Sequence, residues 1–186
     1  EVDSLHKVTI IPRGMALGAT MHLPKKDEYN KTRKKILGEI VVLYAGRVAE
    51  EMFCDDISTG AKNDIERATD LARRMVCDWG MSDELGPIDY AAEEEHVFLG
   101  HEIARQRNHS EATSVEIDKQ IKIVIEGALG TCRKLLAQHR RDVEMIAEGL
   151  LLYEVLSAED MDQILQGNEL ARGPSERVIK AKTANA

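Results

Sequence analysis

The sequence predicts a mainly α-helical fold with a small β-hairpin or sheet at its N-terminal end. Apolar residues recur at the helical period over three long segments, about 30–53, 63–79 and 110–139. The short run Lys7–Ile11 is instead rich in β-branched residues and is broken by Pro12 and Gly14. With 186 residues, 43% of them apolar, the chain can form one domain with an aliphatic core. We predict that this domain covers residues 1–168.

The first elements are two strands between residues 7 and 23. The second strand, from Met15 to Leu23, alternates only loosely and contains Gly18. A glycine inside a strand indicates a bulge or the close approach of another backbone. A polar loop at residues 24–28 follows.

The first predicted helix, about 30–53, carries its apolar face on Ile36, Ile40, Leu43, Tyr44, Val48 and Met52. Gly46 interrupts this helix at a cost of about 1 kcal/mol, which favours a close helix crossing there. The second helix, about 63–79, has the clearest period, and its apolar face is Ile65, Ala68, Leu71, Ala72, Met75, Val76 and Trp79.

Residues 81–110 show no regular apolar period, which predicts a long irregular connection. A long helix to about residue 139 follows, for which Ser114 is a candidate cap, and then a helix at about 141–154. Ser157 and Asp160 are typical of the capping box of a short last helix. From Glu169 to the end we predict a disordered tail.

Composition excludes several classes of function. The net charge of -8 argues against a nucleic-acid partner. No apolar run approaches the roughly 20 residues that cross a bilayer, and no P-loop motif for ATP is present. Cys54, Cys77 and Cys132 are odd in number and far apart, which predicts reduced, buried thiols rather than a cysteine zinc site. Because the first residue is Glu, we expect a piece of a longer polypeptide.

Two acidic residues are candidates for chemistry. Asp64 follows the run Ser58–Asn63 at the start of the second helix; an Asp is also favoured there simply because it complements the helix dipole. Glu50 lies near the end of the first helix, where a solvated face or an ion pair with Arg47 would explain it equally well. The segment His101–Arg105 is one residue short of a His-Glu-x-x-His zinc motif, but Arg105 cannot ligate zinc, so we interpret this match as coincidence.

Several motifs in the same order resemble the peptidase domain of the FtsH family of membrane-anchored, ATP-dependent zinc proteases. They are Val8–Gly14, Gly46–Glu51, Ser58–Ile65, Ala68–Val76, Trp79–Ser82, Leu85–Pro87 and Val97–Gly100. The resemblance covers roughly residues 4–168. It implies a helical metallopeptidase domain that follows an ATPase domain, in a homo- or hetero-hexameric ring tethered to a membrane by another part of the protein. It places the domain in the cytoplasm, the mitochondrial matrix or intermembrane space, or the chloroplast stroma.

The resemblance also implies roles for individual residues. Asp64 would be the third protein ligand of the catalytic Zn²⁺, and Glu50 would support a ligand from beside the metal site. The strand at Leu17, Gly18, Ala19 and Thr20 would lie beside the cleft, where an unfolded protein substrate adds as a further strand; a hairpin that only covers the core is the alternative. ATP and Mg²⁺ would bind only in the ATPase domain.

One departure from the family pattern limits this interpretation. The sequence contains no His-Glu-x-x-His, so it lacks two zinc ligands and the general-base Glu, and no catalytic residue can be assigned within it. Because a catalytic zinc needs three protein ligands, we expect the chain alone to be inactive and to bind zinc weakly. Two hypotheses follow: part of a working zinc endopeptidase, or a non-catalytic relative that acts as an oligomerisation or scaffold module. The presence of Asp64 and Glu50 favours the first.

Overall fold

A computed structural model describes residues 2–12, 14, 17–23, 30–91 and 109–178. These residues form two compact units, one from residues 30–135 and one that combines residues 2–29 with residues 136 onward. Each unit is described by itself below. Most of the connection at 81–110, with the His101–Arg105 segment and Val97–Gly100, lies outside the described residues, as do the loop at 24–28 and the end of the tail from residue 179.

The first unit is built from three helices, which confirms the predicted mainly helical class. They are α1 (Arg33–Phe53), α2 (Lys62–Cys77) and α3 (Glu111–Gln138), and a short 3-10 turn at Thr59–Ala61 precedes α2. Their apolar faces meet in one aliphatic core, formed by Ile36, Ile40, Tyr44, Ala68, Ala72, Met75, Val76, Cys77, Ile117, Ile121 and Ala128. Each large aliphatic side chain buried there contributes about 1.5–3 kcal/mol. The predicted helix periods therefore locate this core well.

Some details of the helices differ from the prediction. Ile65 and Trp79 are 38% and 36% exposed, because Ile65 lies in the first turn of α2 and Trp79 lies beyond its end. The guanidinium of Arg74 lies 4.6 Å from the centre of the Trp79 ring instead. The cap of α3 is Ser110, whose Oγ accepts from Thr113 N at 3.2 Å; Ser114 lies inside the helix and its hydroxyl donates to the Ser110 carbonyl.

Two of the three cysteines are buried, as predicted, and the third is exposed. Cys77 and Cys132 are buried free thiols, and burial raises the pKa of both. Cys54 is exposed because it follows the last turn of α1 in a surface loop. None of the described helices has the length and apolar content that a membrane span requires.

The second unit holds a three-stranded antiparallel sheet of order β2-β1-β3. Its strands are β1 (Ser4–Thr9), β2 (Ala19–Leu23) and β3 (Val155–Ser157). The first strand ends two residues before its predicted end, because the Thr9 hydroxyl accepts from Ile11 N at 3.1 Å and turns the chain out of the ladder. The sequence prediction missed β3, which is too short to show an alternating pattern.

Two helices flank β3, namely α4 (Arg140–Tyr153) and α5 (Ala158–Leu165). The predicted capping box is confirmed: Ser157 Oγ accepts from Asp160 N at 3.1 Å, and an Asp160 carboxylate oxygen accepts from Ser157 N at 3.0 Å. Leu156 is fully buried and packs with Met161 and Ile164 in a second apolar cluster. Beyond α5, Leu170 packs against this cluster and Ser175 N donates to the Leu152 carbonyl at 2.9 Å.

Two glycines test the packing expectations in opposite ways. A Cβ at Gly18 would lie 2.7 Å from the Thr9 carbonyl oxygen, so the close backbone approach is confirmed. A Cβ at Gly46 would meet no described heavy atom outside its own helix within 4 Å, so the expected close helix crossing is not found among the described residues.

We therefore predict opposite effects for two Gly to Ala substitutions. Gly18→Ala should destabilise the sheet by about 1–3 kcal/mol, since a backbone carbonyl cannot move away easily. Gly46→Ala should stabilise α1 by about 1 kcal/mol, since the position is open and helical. Amide hydrogen exchange in β1 and in α1 measures the two effects separately. Equal protection in Gly18→Ala and the unsubstituted chain would contradict the close approach.

Candidate functional site

The last turns of α1 and the start of α2 are joined by hydrogen bonds to Glu50. Ser58 N donates to Glu50 Oε2 at 3.1 Å, and Ser58 Oγ donates to Glu50 Oε1 at 2.5 Å. Both carboxylate oxygens of Glu50 therefore hold the same residue. Such bonds to an ionised group are roughly twice as strong as neutral ones.

Ser58 also contacts the turn that precedes α2. Its Oγ also accepts from Gly60 N at 3.1 Å, which makes Ser58 the N-cap of the turn Thr59–Ala61. Since α2 begins at Lys62, directly after this turn, the start of α2 is positioned by Glu50 through Ser58. Ala61, the N-terminal flanking residue of α2, supplies no side-chain cap of its own.

The contacts of Glu50 also determine its charge. The two bonds from Ser58 lower the pKa of Glu50 below its ordinary value, and the nearby Arg47 adds a smaller effect in the same direction. Glu50 is thus an ionised acceptor at neutral pH. The sequence-based alternatives, a solvated face or an ion pair with Arg47, do not describe its main contact, which is Ser58.

Asp64 lies in the first turn of α2 and is half-buried. Among the described residues, no hydrogen bond or ion pair involves its carboxylate. Its position complements the positive end of the helix dipole, as any Asp there would. The partial burial and the lack of a described partner leave the carboxylate able to bind a cation.

A zinc site is not completed by the described residues. No group of three or more His, Cys, Asp or Glu side chains in this part of the chain could hold a metal ion. The carboxylate of Asp64 fits one zinc ligand in chemistry, since Zn²⁺ accepts Asp oxygens at about 2.0–2.2 Å. Glu50 acts on the same region through its two hydrogen bonds from Ser58.

A shallow surface cavity of about 260 Å³ adjoins this turn. Its walls are Ser58, Thr59, Lys62, Ile65 and Glu66. Ile65, which is exposed in the first turn of α2, lines this cavity. Sequence reasoning also missed the structural role of Ser58; a Ser directly before a Thr-Gly pair is the only local signal for it.

The predicted substrate strand lies in the second unit. Ala19 and Thr20 begin β2, Gly18 packs against the backbone of Thr9, and Leu17 precedes them with 81% of its side chain exposed. All five residues of β2 are exposed, and the strand pairs only with β1 among the described strands. An extended chain could therefore pair with its outer side.

Comparison with known proteins places these features in one family. The model of peptidase family M41 matches residues 1–164. The chain is 46% identical over 93% of its length to ATP-dependent zinc metalloprotease FtsH 2 of Methylacidiphilum infernorum, covering 27% of that protein. It is 45% identical over 90% of its length to FtsH of Acidobacterium capsulatum, covering 26% of it, and 42% identical over 91% of its length to FtsH of Myxococcus xanthus, covering 27%. The chain thus spans about a quarter of the length of these relatives.

The link between Ser58 and Glu50 leads to a prediction about pH. A lowered folded-state pKa means that the ionised Glu50 stabilises the fold above its unfolded pKa and that this contribution is lost as pH falls through the folded pKa. Ser58→Ala should raise the pKa of Glu50 toward its ordinary value and should reduce the part of the acid sensitivity that Glu50 causes. A side-chain NMR titration measures this pKa.

Glu116 is the internal control for that titration. Its pKa is also lowered, but by hydrogen bonds from Gln120 and Lys119 in α3. Ser58→Ala should leave it unchanged. An unchanged pKa of Glu50 in the variant would show that Ser58 does not hold the carboxylate.

Proposed function

Because the chain belongs to peptidase family M41, we propose that it supplies part of the zinc site of an ATP-dependent, membrane-anchored endopeptidase that degrades unfolded or membrane proteins. The observation that supports this most directly is the half-buried carboxylate of Asp64, which has no described partner and follows a turn positioned by Glu50 and Ser58. The names of the relatives specify a zinc metalloprotease that depends on ATP.

Asp64 would be one of the protein ligands of the zinc. A zinc ion held in this way would supply a bound water of lowered pKa and would act as a Lewis acid on a scissile carbonyl. Glu50 would act as a positioning residue: by holding Ser58 it fixes the turn, and the turn fixes where the Asp64 carboxylate lies. Groups that orient ligands in this way commonly change metal affinity or activity 10–100-fold when removed.

The remaining parts of the machinery would come from residues outside the printed sequence. Two His ligands and the general-base Glu are needed to complete the site. An ATPase domain would bind ATP and Mg²⁺ and deliver the substrate, a membrane anchor would tether the protein, and a homo- or hetero-hexamer would enclose the cleft. Without the missing ligands, we expect the chain alone to be inactive and to bind zinc weakly.

The strand β2 would receive the substrate. An unfolded polypeptide that pairs with its outer side would gain backbone hydrogen bonds whatever its side chains are. This suits an enzyme that degrades many proteins. Exposed apolar side chains on β2, Met21 and Leu23, would add affinity without strict sequence preference.

Asp64→Asn in the full-length protein tests the ligand assignment. We predict that casein degradation and bound zinc both fall by about 100-fold or more, since an amide is a much poorer zinc ligand than a carboxylate, while ATP hydrolysis continues. Asp70→Asn is the matched control, because Asp70 is an exposed carboxylate on the same helix. Its proteolysis should equal that of the unsubstituted protein.

The unsubstituted full-length protein separates the peptidase from the scaffold alternative. If the full-length protein with Asp64 intact neither retained zinc nor cleaved casein, yet still assembled into a ring, a non-catalytic role would be the better account. If Asp64→Asn retained full proteolysis, the carboxylate would not be a zinc ligand.

A further inference from the structure

The sheet of the second unit has two outer strands, and they differ in how their free sides are occupied. In β3, Val155 pairs with Thr9 and Leu156 pairs with Val8. Ile10 N donates to the Glu154 carbonyl at 3.0 Å, so hydrogen-bonded pairs flank Val155 on both sides. In an antiparallel ladder such pairs alternate with non-bonded ones. The N–H and C=O of Val155 therefore point away from β1, toward the free side of β3.

Two of the groups on this free side are held by one ion pair. Arg172 donates to the Val155 carbonyl at 2.5 Å and to Asp160 Oδ2 at 2.7 Å. The same Asp160 oxygen accepts from Ser157 N at 3.0 Å. Arg172 and Asp160 thus cover a carbonyl and an N–H of β3, and they are also bonded to each other.

The segment that carries Arg172 is attached on both sides of it. Leu170 packs on the apolar cluster around Leu156, and Ser175 N donates to the Leu152 carbonyl at 2.9 Å. The Arg172 guanidinium also lies 5.2 Å from the centre of the Tyr153 ring. These contacts hold the side chain in place, so a competing strand would have to displace an ordered group.

We propose that the Arg172–Asp160 pair closes the β3 side of the sheet to strand addition, so that an extended polypeptide pairs only with β2. An open strand edge is a template for any extended chain, and strand addition at β3 would need the Val155 carbonyl that Arg172 now holds with a charge-assisted bond. This inference deepens the proposed function in one respect, because it determines which edge takes the substrate.

The test counts bound peptides on the full-length protein, with proteolysis stopped by a zinc chelator. The probe is fluorescein-labelled insulin B chain with carboxymethylated cysteines. Arg172→Met keeps an unbranched apolar stem like that of Arg but removes the guanidinium and both of its bonds. The variant should bind one more peptide per chain than the unsubstituted protein. Arg140→Met is the matched control, since it removes an ion pair with Glu144 on the surface of α4 and should leave the number unchanged.

The extra peptide bound by Arg172→Met does not depend on whether β2 binds substrate. If β2 did not bind substrate, the unsubstituted protein would bind fewer peptides, yet Arg172→Met would still add one. An unchanged number in a folded Arg172→Met variant, judged by its circular dichroism, would overturn the proposal.

Hydrogen exchange provides a second measurement, and its first comparison uses only the unsubstituted protein, so that part does not depend on the folding of a variant. In the unsubstituted protein, saturating peptide should leave the exchange rate of the outward Val155 amide unchanged, whereas in Arg172→Met the peptide should slow it at least about 10-fold. Slowed exchange of this amide in the unsubstituted protein would overturn the proposal, because it would mean that the edge is open with Arg172 present.

Discussion

The two hydrogen bonds between Ser58 and the Glu50 carboxylate are the constraint on which the candidate site depends. The core of the first unit packs α1 against α2. It does not position the loop between them, because residues 54–60 are exposed. Glu50 anchors that loop at Ser58, and Ser58 caps the turn from which α2 starts. The position of the Asp64 carboxylate follows from this chain of contacts, so a change at Glu50 or Ser58 would displace the proposed zinc ligand without altering that residue itself.

The second unit shows how a small sheet can present one edge and protect the other. The strand β2 is fully exposed and pairs only with β1 in the described part of the chain, whereas β3 is covered by Arg172 and Asp160. Asp160 has two roles there, since it also completes the capping box of α5. The Asp160 carboxylate therefore both caps the start of α5 and holds the Arg172 side chain against the free side of β3.

The sequence predicts the helices well because the aliphatic residues of their buried faces recur at the helical period. The buried residues Ala68, Ala72, Met75 and Val76 of α2 illustrate this. It could not predict β3, because a three-residue strand has no periodicity and exists only through its pairing with β1. The role of Ser58 was equally hidden, since its contact spans eight residues across an irregular loop. The motif predicts Asp64 as a candidate ligand, whereas the lack of a described partner for its carboxylate is a property of the folded structure alone.

The most direct test of this account is the position of zinc in the full-length protein. Anomalous X-ray diffraction at the zinc absorption edge locates the ion without assuming its ligands. The account predicts a zinc peak about 2.0–2.2 Å from an Asp64 carboxylate oxygen, with Ser58 still bonded to Glu50. A zinc ion bound elsewhere, with the Asp64 carboxylate facing solvent, would contradict it.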